Sequence, residues 1–426
     1  MAATVQPIRG MNDLLPAETP VWQWVENRAR ARFDAYGYGE LRLPLVERTE
    51  LFARGIGEST DVVEKEMYSF ADRNGDSLSL RPEATASCVR AALTHGLIHN
   101  QQQRLWYAGP MFRYERPQKG RYRQFHQIGA EALGYPGPDV DAELILMSAR
   151  LWRELGLGDL RLELNSLGTP ASRQGYRRLL VEYFSDRRDA LDEDSLRRLA
   201  SNPLRILDSK SPDMQAVIAA APEITAHLDT ESAEHFERLQ AMLAGAGVAF
   251  RINPRLVRGL DYYSRTVFEW LTDRLGAQSA VCSGGRYDDL VEQLGGRPTP
   301  ATGWALGMER LVALVTGNAP PPPTPDAYLV PVGAAAETEA PGLAESLRDA
   351  VPGLRLVMHC GGGSLKSAMK KADRSGAALA LILGEQELGA STLSVKPLRE
   401  NGDQLPLARP ELLERLRDGV RNRRHR

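Results

Sequence analysis

The chain has 426 residues, 42% of them hydrophobic and 25% charged, and its 53 Lys and Arg against 55 Asp and Glu leave a formal net charge of −2. That length makes roughly two or three domains with cores of their own, and the charge balance excludes a protein that coats nucleic acid non-specifically, so any polyanion must be met by a local patch. Cys88, Cys282 and Cys360 are far apart and form no CxxC pair, which argues against a disulfide framework or a zinc site; with no signal-peptide core and no run of about 18 apolar residues, a soluble cytoplasmic protein without membrane contact is expected.

In chain order, residues 17–36 read as a helix and "GELRLPLVE" (39–47) as a strand. "GIGEST" (55–60) lacks the third glycine of a dinucleotide-binding turn, and no GxxxxGK[ST] occurs anywhere. In "LRPEATAS" (80–87) Pro82 suits a helix start, with Glu83 and Thr85 in its first turn. His95 and His99, at i and i+4, read as one face of an ordinary helix, because no acidic residue or cysteine is placed to complete a metal set. "QRLWYAGPMFRYE" (103–115), "RYRQFHQIGAE" (121–131), "LRLELNS" (160–166) and "VFEWLT" (267–272) are β-like, and residues 170–250 between them are rich in helix formers. In "CSGGRYDDL" (282–290), Gly284 and Gly285 let the backbone approach something closely. "GWALGMERL" (303–311) places small residues before a helix whose first turn holds Arg310.

The proline run in "NAPPPPTPDA" (318–327) marks a seam, since it can neither continue a helix nor donate to a sheet. Beyond it, "AYLVPV", "LRLVMH" and "ALALILGE" read as strands and 337–351 and 363–376 as helices, which predicts a separate, largely parallel α/β domain. "HCGGGSLKS" (359–367) fits a strand-to-helix turn as well as a phosphate cradle, and the basic end "RLRDGVRNRRHR" reads as a solvated helix. The divisions are 1–168 and 251–318 for a split main domain, 169–250 for a helical insertion, 319–326 for a linker and 327–426 for the last domain.

The densest signal is "FRYERPQKGRYRQFHQIGAE" (112–131), with Arg113, Arg116, Lys119, Arg121 and Arg123 packed around a Pro/Gly turn. Side chains alternate along a strand. Arg113 and Glu115 therefore share a face of the first strand, and Arg123, Phe125, Gln127 and Glu131 a face of the second, with Gly129 an empty slot among them. Such a surface makes a poor core. It suits a ligand that carries phosphate, a flat ring and a cationic group, because Arg matches phosphate with a planar fork of donors. A solvated hairpin laced with ion pairs accounts for the same pattern, and the pattern alone leaves both readings open.

Taken in order and spacing, the clusters resemble the histidyl-tRNA synthetases, class II aminoacyl-tRNA synthetases of bacterial type, over nearly the whole chain. "FRYERPQKGRYRQFHQIGAE" is similar to the class II second motif, and "GWALGMERL" to the third. "RGLDYY" and "SGGRYD" resemble two signatures of the histidine-specific members. The resemblance implies an α+β catalytic domain with an antiparallel sheet flanked by helices, a helical insertion that leans on the tRNA acceptor arm, and a C-terminal α/β anticodon-binding domain. It implies a homodimer built partly around helix 17–36 and Pro44. The implied reaction joins L-histidine and ATP into histidyl-adenylate and pyrophosphate, then transfers histidine to the 3′ end of histidine tRNA.

Implied roles follow residue by residue. Arg113 holds the α-phosphate, and Arg258 stabilises charge there, where other class II enzymes use a metal ion. Glu115 contacts adenine, Phe125 stacks under the ring, Arg310 covers its other face and Arg121 reaches the outer phosphates. Glu83, Thr85 and Gln127 bind the α-amino group; Glu131, Tyr263 and Tyr287 read the imidazole. Arg116, Gln118 and Arg123 are placed to meet the tRNA end. No protein-held metal is expected, only Mg2+ bridging the ATP phosphates. Ala84, Ser283 and Asp289 depart from the usual Gly, Ala and Gly of the family. A synthetase-like regulatory subunit of histidine biosynthesis would lack the last domain and the ATP-site arginines, and a synthetase-like sensor module would sit in a kinase chain. This chain has the domain and the arginines and carries no kinase signature.

Overall fold

Period-two patterning between residues 100 and 310 builds one mixed sheet. In the computed structural model, which describes residues 4–57, 60–118, 120–209, 211–276 and 279–424, two compact units divide at residue 320. Glu58 and Ser59 of "GIGEST", Lys119 of the basic stretch, and His425 and Arg426 lie outside the described residues. Among those described, the first unit holds an eight-stranded sheet ordered Gly39–Glu40, Gln103–Phe112, Gln124–Leu133, Ala301–Gly307, Ala280–Arg286, Ser264–Leu271, Arg161–Ser166, Arg251–Ile252. Only its two short outer strands pair in parallel; the rest are antiparallel.

One face of this sheet is apolar. Trp106, Ile128, Ala130, Phe268, Trp270, Trp304 and Leu306, all at even positions, are buried against helices Thr19–Tyr36, Pro138–Glu154, Thr230–Gly245 and Met308–Val315. Phe33 of the first helix stacks on Trp106 with centroids 4.8 Å apart and on Trp304 at 5.8 Å. Each such large side chain contributes about 1.5–3 kcal/mol on burial; on the odd-numbered face Leu105, Met111, Leu133 and Val267 belong to a second buried cluster, and the rest of that face is left for chemistry. The helices of the charged segment are set by their caps. The side chains of Thr169, Asp192 and Asp229 accept from the amides of Ser172, Ser195 and Ser232 and start helices Pro170–Ser185, Glu193–Ser201 and Thr230–Gly245.

Several local expectations are corrected. "GELRLPLVE" is not one strand: it breaks at Pro44 into Gly39–Glu40 and Val46–Arg48, which belong to different sheets, because proline cannot donate to a ladder. The helix expected at Pro82 spans Thr85–Thr94, with Glu83 outside it. It stops before His95, whose amide bonds Ala91 O as a cap, so His95 and His99 do not share a helix face. The adjacent tyrosines of "RGLDYY", which β-propensity predicts on a strand, lie just before the one that begins at Ser264. A Cβ on Gly284 would strike the neighbouring strand at Gly303 O, 2.3 Å away, so strand packing and not a ligand requires that glycine.

The second unit has a five-stranded sheet ordered Leu356–Met358, Ala327–Pro331, Leu379–Leu383, Thr392–Pro397, Leu405–Ala408. The first two pairings are parallel, as strand–helix–strand order requires. The last two are antiparallel. Those strands follow a short connection and no crossover helix of full length, and they correct the expectation of a largely parallel sheet. Residues 409–424 form a helix, as expected of the basic end.

Candidate active site

Register decides what the odd face presents. Tyr107 pairs with Gly129, Gly109 with Gln127 and Met111 with Phe125 across the hairpin. On the other side Gly303, Ala305 and Gly307 pair with Glu131, Gly129 and Gln127. The odd faces of the two hairpin strands therefore coincide, and a row of small residues runs beside them. The hollow this leaves is a cleft of about 320 Å³. Glu83, Thr85, Arg113, Glu115, Arg121 and Phe125 line it, and so do Gln127, Glu131, Arg258, Tyr263, Tyr287 and Arg310. The strands themselves end at Phe112 and begin at Gln124, so Arg113, Glu115 and Arg123 lie in the connecting loop, where strand alternation no longer fixes their direction. Arg113 and Glu115 still reach the cleft; Arg123 does not.

At the floor stands Glu131, 1% exposed. Its carboxylate accepts from Thr85 Oγ1 at 2.8 Å, from Tyr107 OH at 2.9 Å and from Tyr287 OH. Burial pushes its titration up to about 8, against which the three hydroxyl donors work. Two glycines make this arrangement possible. A Cβ at Gly303 would lie 1.7 Å from Glu131 Oε2, and one at Gly129 would lie 2.4 Å from the Tyr107 ring. The slot at Gly129 is thus not empty; it seats Tyr107. Beside it Glu83, 3% exposed, accepts from the amides of Thr85 at 2.6 Å and Ala86 at 3.0 Å and so caps helix Thr85–Thr94 from outside. Burial raises its titration in spite of those amides. Gln127 Oε1 is buried without a hydrogen-bond partner among the described residues.

The cationic wall is built from three chain segments. Arg113 donates through Nε to Pro82 O at 2.9 Å and lies 5.4 Å over the Phe125 ring. Arg310 donates to Gly120 O at 2.9 Å and to Ala280 O at 2.7 Å. Burial and the proximity of Arg121 and Arg113 weaken its hold on its proton, which describes a site that gains by receiving an anion. Arg258 donates to Glu269, which also accepts from Ser283 Oγ at 3.3 Å, and lies 5.4 Å over the Tyr263 ring. Burial is the largest influence and works against its charge, and Glu269 together with Tyr263 and Tyr262 more than offsets it. Arg121 pairs with Glu115 and stands 3.8 Å from Glu66, so the side chains expected to meet outer phosphates and adenine meet each other here.

Arg116, Gln118 and Arg123 are not brought into the cleft. Arg116 and Gln118 are exposed on the loop. Arg123 packs 3.9 Å over Tyr114 and donates to Glu115 O at 3.1 Å. Sequence reasoning missed Tyr107, Tyr262 and Glu269. Tyr262 lines the cleft and packs on Tyr263 and Tyr287. The missing signal for Tyr107 and Glu269 was parity: both sit on the odd face of their strands, opposite residues already singled out. Among the described residues no group of three or more His, Cys, Asp or Glu stands together as a metal set.

The family model for histidyl-tRNA synthetase matches residues 10–311, and that for the anticodon binding domain matches residues 326–419. The chain is 60% identical over 415 residues to a histidine–tRNA ligase of Alkalilimnicola ehrlichii, covering 97% of this chain and 96% of that one. A histidine–tRNA ligase of Halorhodospira halophila is 60% identical over 410 residues, 95% and 96% of the two chains. Among solved structures, apo S. aureus histidyl-tRNA synthetase superposes with a TM-score of 0.81 at 34% identity, over 97% of this chain and 100% of the other. On its motifs, its fold and these matches, the chain belongs to the histidyl-tRNA synthetase family.

Proposed function

We propose that the chain is a histidine–tRNA ligase and that its cleft joins L-histidine to ATP, releasing pyrophosphate, before histidine passes to the 3′ end of histidine tRNA. One observation carries the reading: guanidiniums from Arg113, Arg258 and Arg310 converge on the same hollow as a buried carboxylate ringed by three hydroxyls. The histidine carboxylate attacks the α-phosphate, and the negative charge that builds there meets Arg113 and Arg258, already fixed and partly dehydrated. Losing one such donor typically costs about 10²–10³ in rate. No general base is needed, because a carboxylate is ionised at neutral pH.

Phe125 and Arg310 sandwich the adenine. Glu115 contacts it, and Arg121 leaves Glu115 to reach the outer phosphates, so nucleotide binding exchanges one ion pair for another. The unpartnered Gln127 Oε1 supports its role as acceptor for the α-ammonium, together with Glu83 and Thr85. Glu131, Tyr287 and Tyr263 read the imidazole. A pocket that bonds both ring nitrogens leaves buried polar groups unpaired when an analogue lacks them, worth about 10⁴–10⁵ in discrimination. Mg2+ would be held by the bound nucleotide and would offset its phosphate charge, because the cleft's carboxylates Glu83, Glu131 and Glu115 are engaged with amides, hydroxyls and Arg121.

Arg116, Gln118 and Arg123 at the loop rim meet the tRNA end, and the second unit meets the anticodon. The homodimer draws support from exposed apolar side chains at the small sheet that follows Pro44: Leu45 at 42% and Val46 at 38% exposure and, two strands across, Phe70 at 46%. The free thiols of Cys88, Cys282 and the exposed Cys360 suit a reducing cytoplasm. No helix among the described residues is long and apolar enough to cross a membrane. Histidine-dependent ATP–pyrophosphate exchange tests the first step, and charging of histidine tRNA the second. Folded protein that supports no exchange would reject the reading.

A further inference from the structure

The loop from Arg258 to Tyr263 carries the arginine assigned to the α-phosphate and a tyrosine assigned to the imidazole; Tyr262 and Tyr263 are held in a hydrophobic core, whereas Arg258 to Asp261 are only half-buried. It is a wall between two hollows. Arg258 and Leu260 face the cleft on one side and, on the other, a second hollow of about 300 Å³. Directed polar contacts add to core packing in setting the loop's position. Three come from the helical segment behind it. Arg205 donates through Nη1 to the carbonyl of Arg258 at 3.1 Å. The Asn202 amide donates to Asp261 Oδ1 at 2.9 Å. Arg173 donates to the carbonyl of Tyr263.

The contacts are spaced along the loop at its first, fourth and last residues, so they fix both its ends and its middle. Two of the three are made to backbone, which positions the loop whatever its side chains do. Gly259 makes room for the grip: a Cβ there would stand 3.1 Å from Arg205 Nη1. On the cleft side Arg258 is tethered to Glu269, while its Nε is buried with no hydrogen-bond partner among the described residues. The guanidinium is thus carried by a backbone that the helical segment helps to place.

We propose that Arg173, Asn202 and Arg205 are positioning residues for adenylate formation, gripping the Arg258–Tyr263 loop so that Arg258 meets the α-phosphate. The inference rests on the reading of the cleft given above. It makes the helical segment part of the first chemical step even when no tRNA is bound. Misplacing a charge-bearing donor by a fraction of an ångström is felt in the transition state more than in ground-state binding.

The test is histidine-dependent ATP–pyrophosphate exchange on the full-length protein, with thermal unfolding alongside. Arg205→Met is expected to lower kcat about tenfold or more, leaving KM for histidine and ATP within about twofold. Arg205→Lys, which keeps a donor for the carbonyl, recovers part of that loss. Gly259→Ala, which crowds Arg205 and removes no side chain, gives a smaller loss of the same kind and carries the test should Arg205→Met not fold. In an Arg258→Ala background, Arg205→Met costs nothing further, because its effect passes through Arg258. An impaired Arg258→Ala beside an Arg205→Met and a Gly259→Ala at wild-type rate would overturn the grip alone. Full multiplication of the two losses in the double variant would do the same. Full exchange by Arg258→Ala would reject the assignment of the cleft, and the grip with it.

Discussion

Replacing Glu131 by Gln is expected to make the protein more stable, and increasingly so as pH rises. Glu131 is 1% exposed and burial moves its titration from 4.5 up to about 8. Between those values the unfolded chain has released a proton that the folded chain still holds. Stability contributed by the protonated carboxyl is therefore complete below about pH 4.5 and lost as pH rises through about 8. At about 1.36 kcal/mol per tenfold change in proton affinity, the loss integrates to roughly 4 kcal/mol between about pH 5 and 9. That figure already includes the Thr85, Tyr107 and Tyr287 hydroxyls, which hold the titration down against burial.

Glutamine keeps the shape and carries no titratable proton, so its stability curve lacks this slope. The assay is the difference in unfolding between wild type and Glu131→Gln from pH 5 to 9, read as the midpoint shift of the first unit. Taking a difference removes Glu83, whose titration is also raised by burial and pulls in the same direction in both proteins. The expected difference is near zero at pH 5 and favours Gln by several degrees at pH 9. A difference flat across this range would mean that the three hydroxyls fully compensate burial, and that Glu131 stands ionised in the free protein. The same variant should lose histidine affinity about tenfold or more while binding ATP normally, since Gln cannot ionise when the imidazole arrives to pair with it; unchanged histidine affinity in calorimetry would take Glu131 out of the imidazole site.

Arg258→Ala is expected to cut the rate of adenylate formation about 10²-fold or more with histidine affinity nearly intact, and equal losses in both would reject its transition-state role. Gly303→Ala places a methyl 1.7 Å from Glu131 Oε2, so it should destabilise by about 1–3 kcal/mol and weaken histidine binding more than ATP binding, as paired titrations would read. Phe70→Glu puts a charge on the exposed apolar side chain of the Tyr68–Ala71 strand and is expected to shift light-scattering mass from dimer to monomer; a variant that keeps the wild-type mass would locate the dimer contact elsewhere.

How much of the site could be read beforehand follows from which rule governed each residue. Phe125, Gln127 and Glu131 obey strand alternation within one ladder, so parity alone placed them together, and the register confirms that the odd faces meet. Arg113, Glu115 and Arg123 look the same by parity but lie past the strand ends, where loop geometry decides. Two of them reach the cleft, and Arg123 turns onto Tyr114. Glu83 was placed inside a helix because Pro82 suits a first turn, whereas its carboxylate competes for the free amides and caps the helix from one residue before Ala84. Arg258, Tyr263 and Tyr287 are distant in sequence, and no local rule unites them. The resemblance supplied that grouping, and the cleft supports it. Nothing local signalled the antiparallel strands after residue 391, since strand pairing over a short connection is fixed by the edge that is left open.

The two glycines under the site explain why a fold with so stable a helix face tolerates so demanding an opposite one. At the even face of the Gln124–Leu133 strand, Ala130 stands between Trp106 and Trp304 across its two ladders, with Phe33 stacked on both, and Ile128 is buried in the same core. One residue away on the same strand, Gly129 and, across the ladder, Gly303 give up packing altogether so that Tyr107 and Glu131 can lie flat against the sheet. A backbone held rigid from beneath can carry a buried carboxyl that opposes folding across neutral pH, because the opposing few kcal/mol are spread over a core that does not yield locally. It follows that weakening the helix face, far from the cleft, should degrade histidine recognition before it unfolds the chain. The Glu131 carboxylate is the group with most to gain from letting water in.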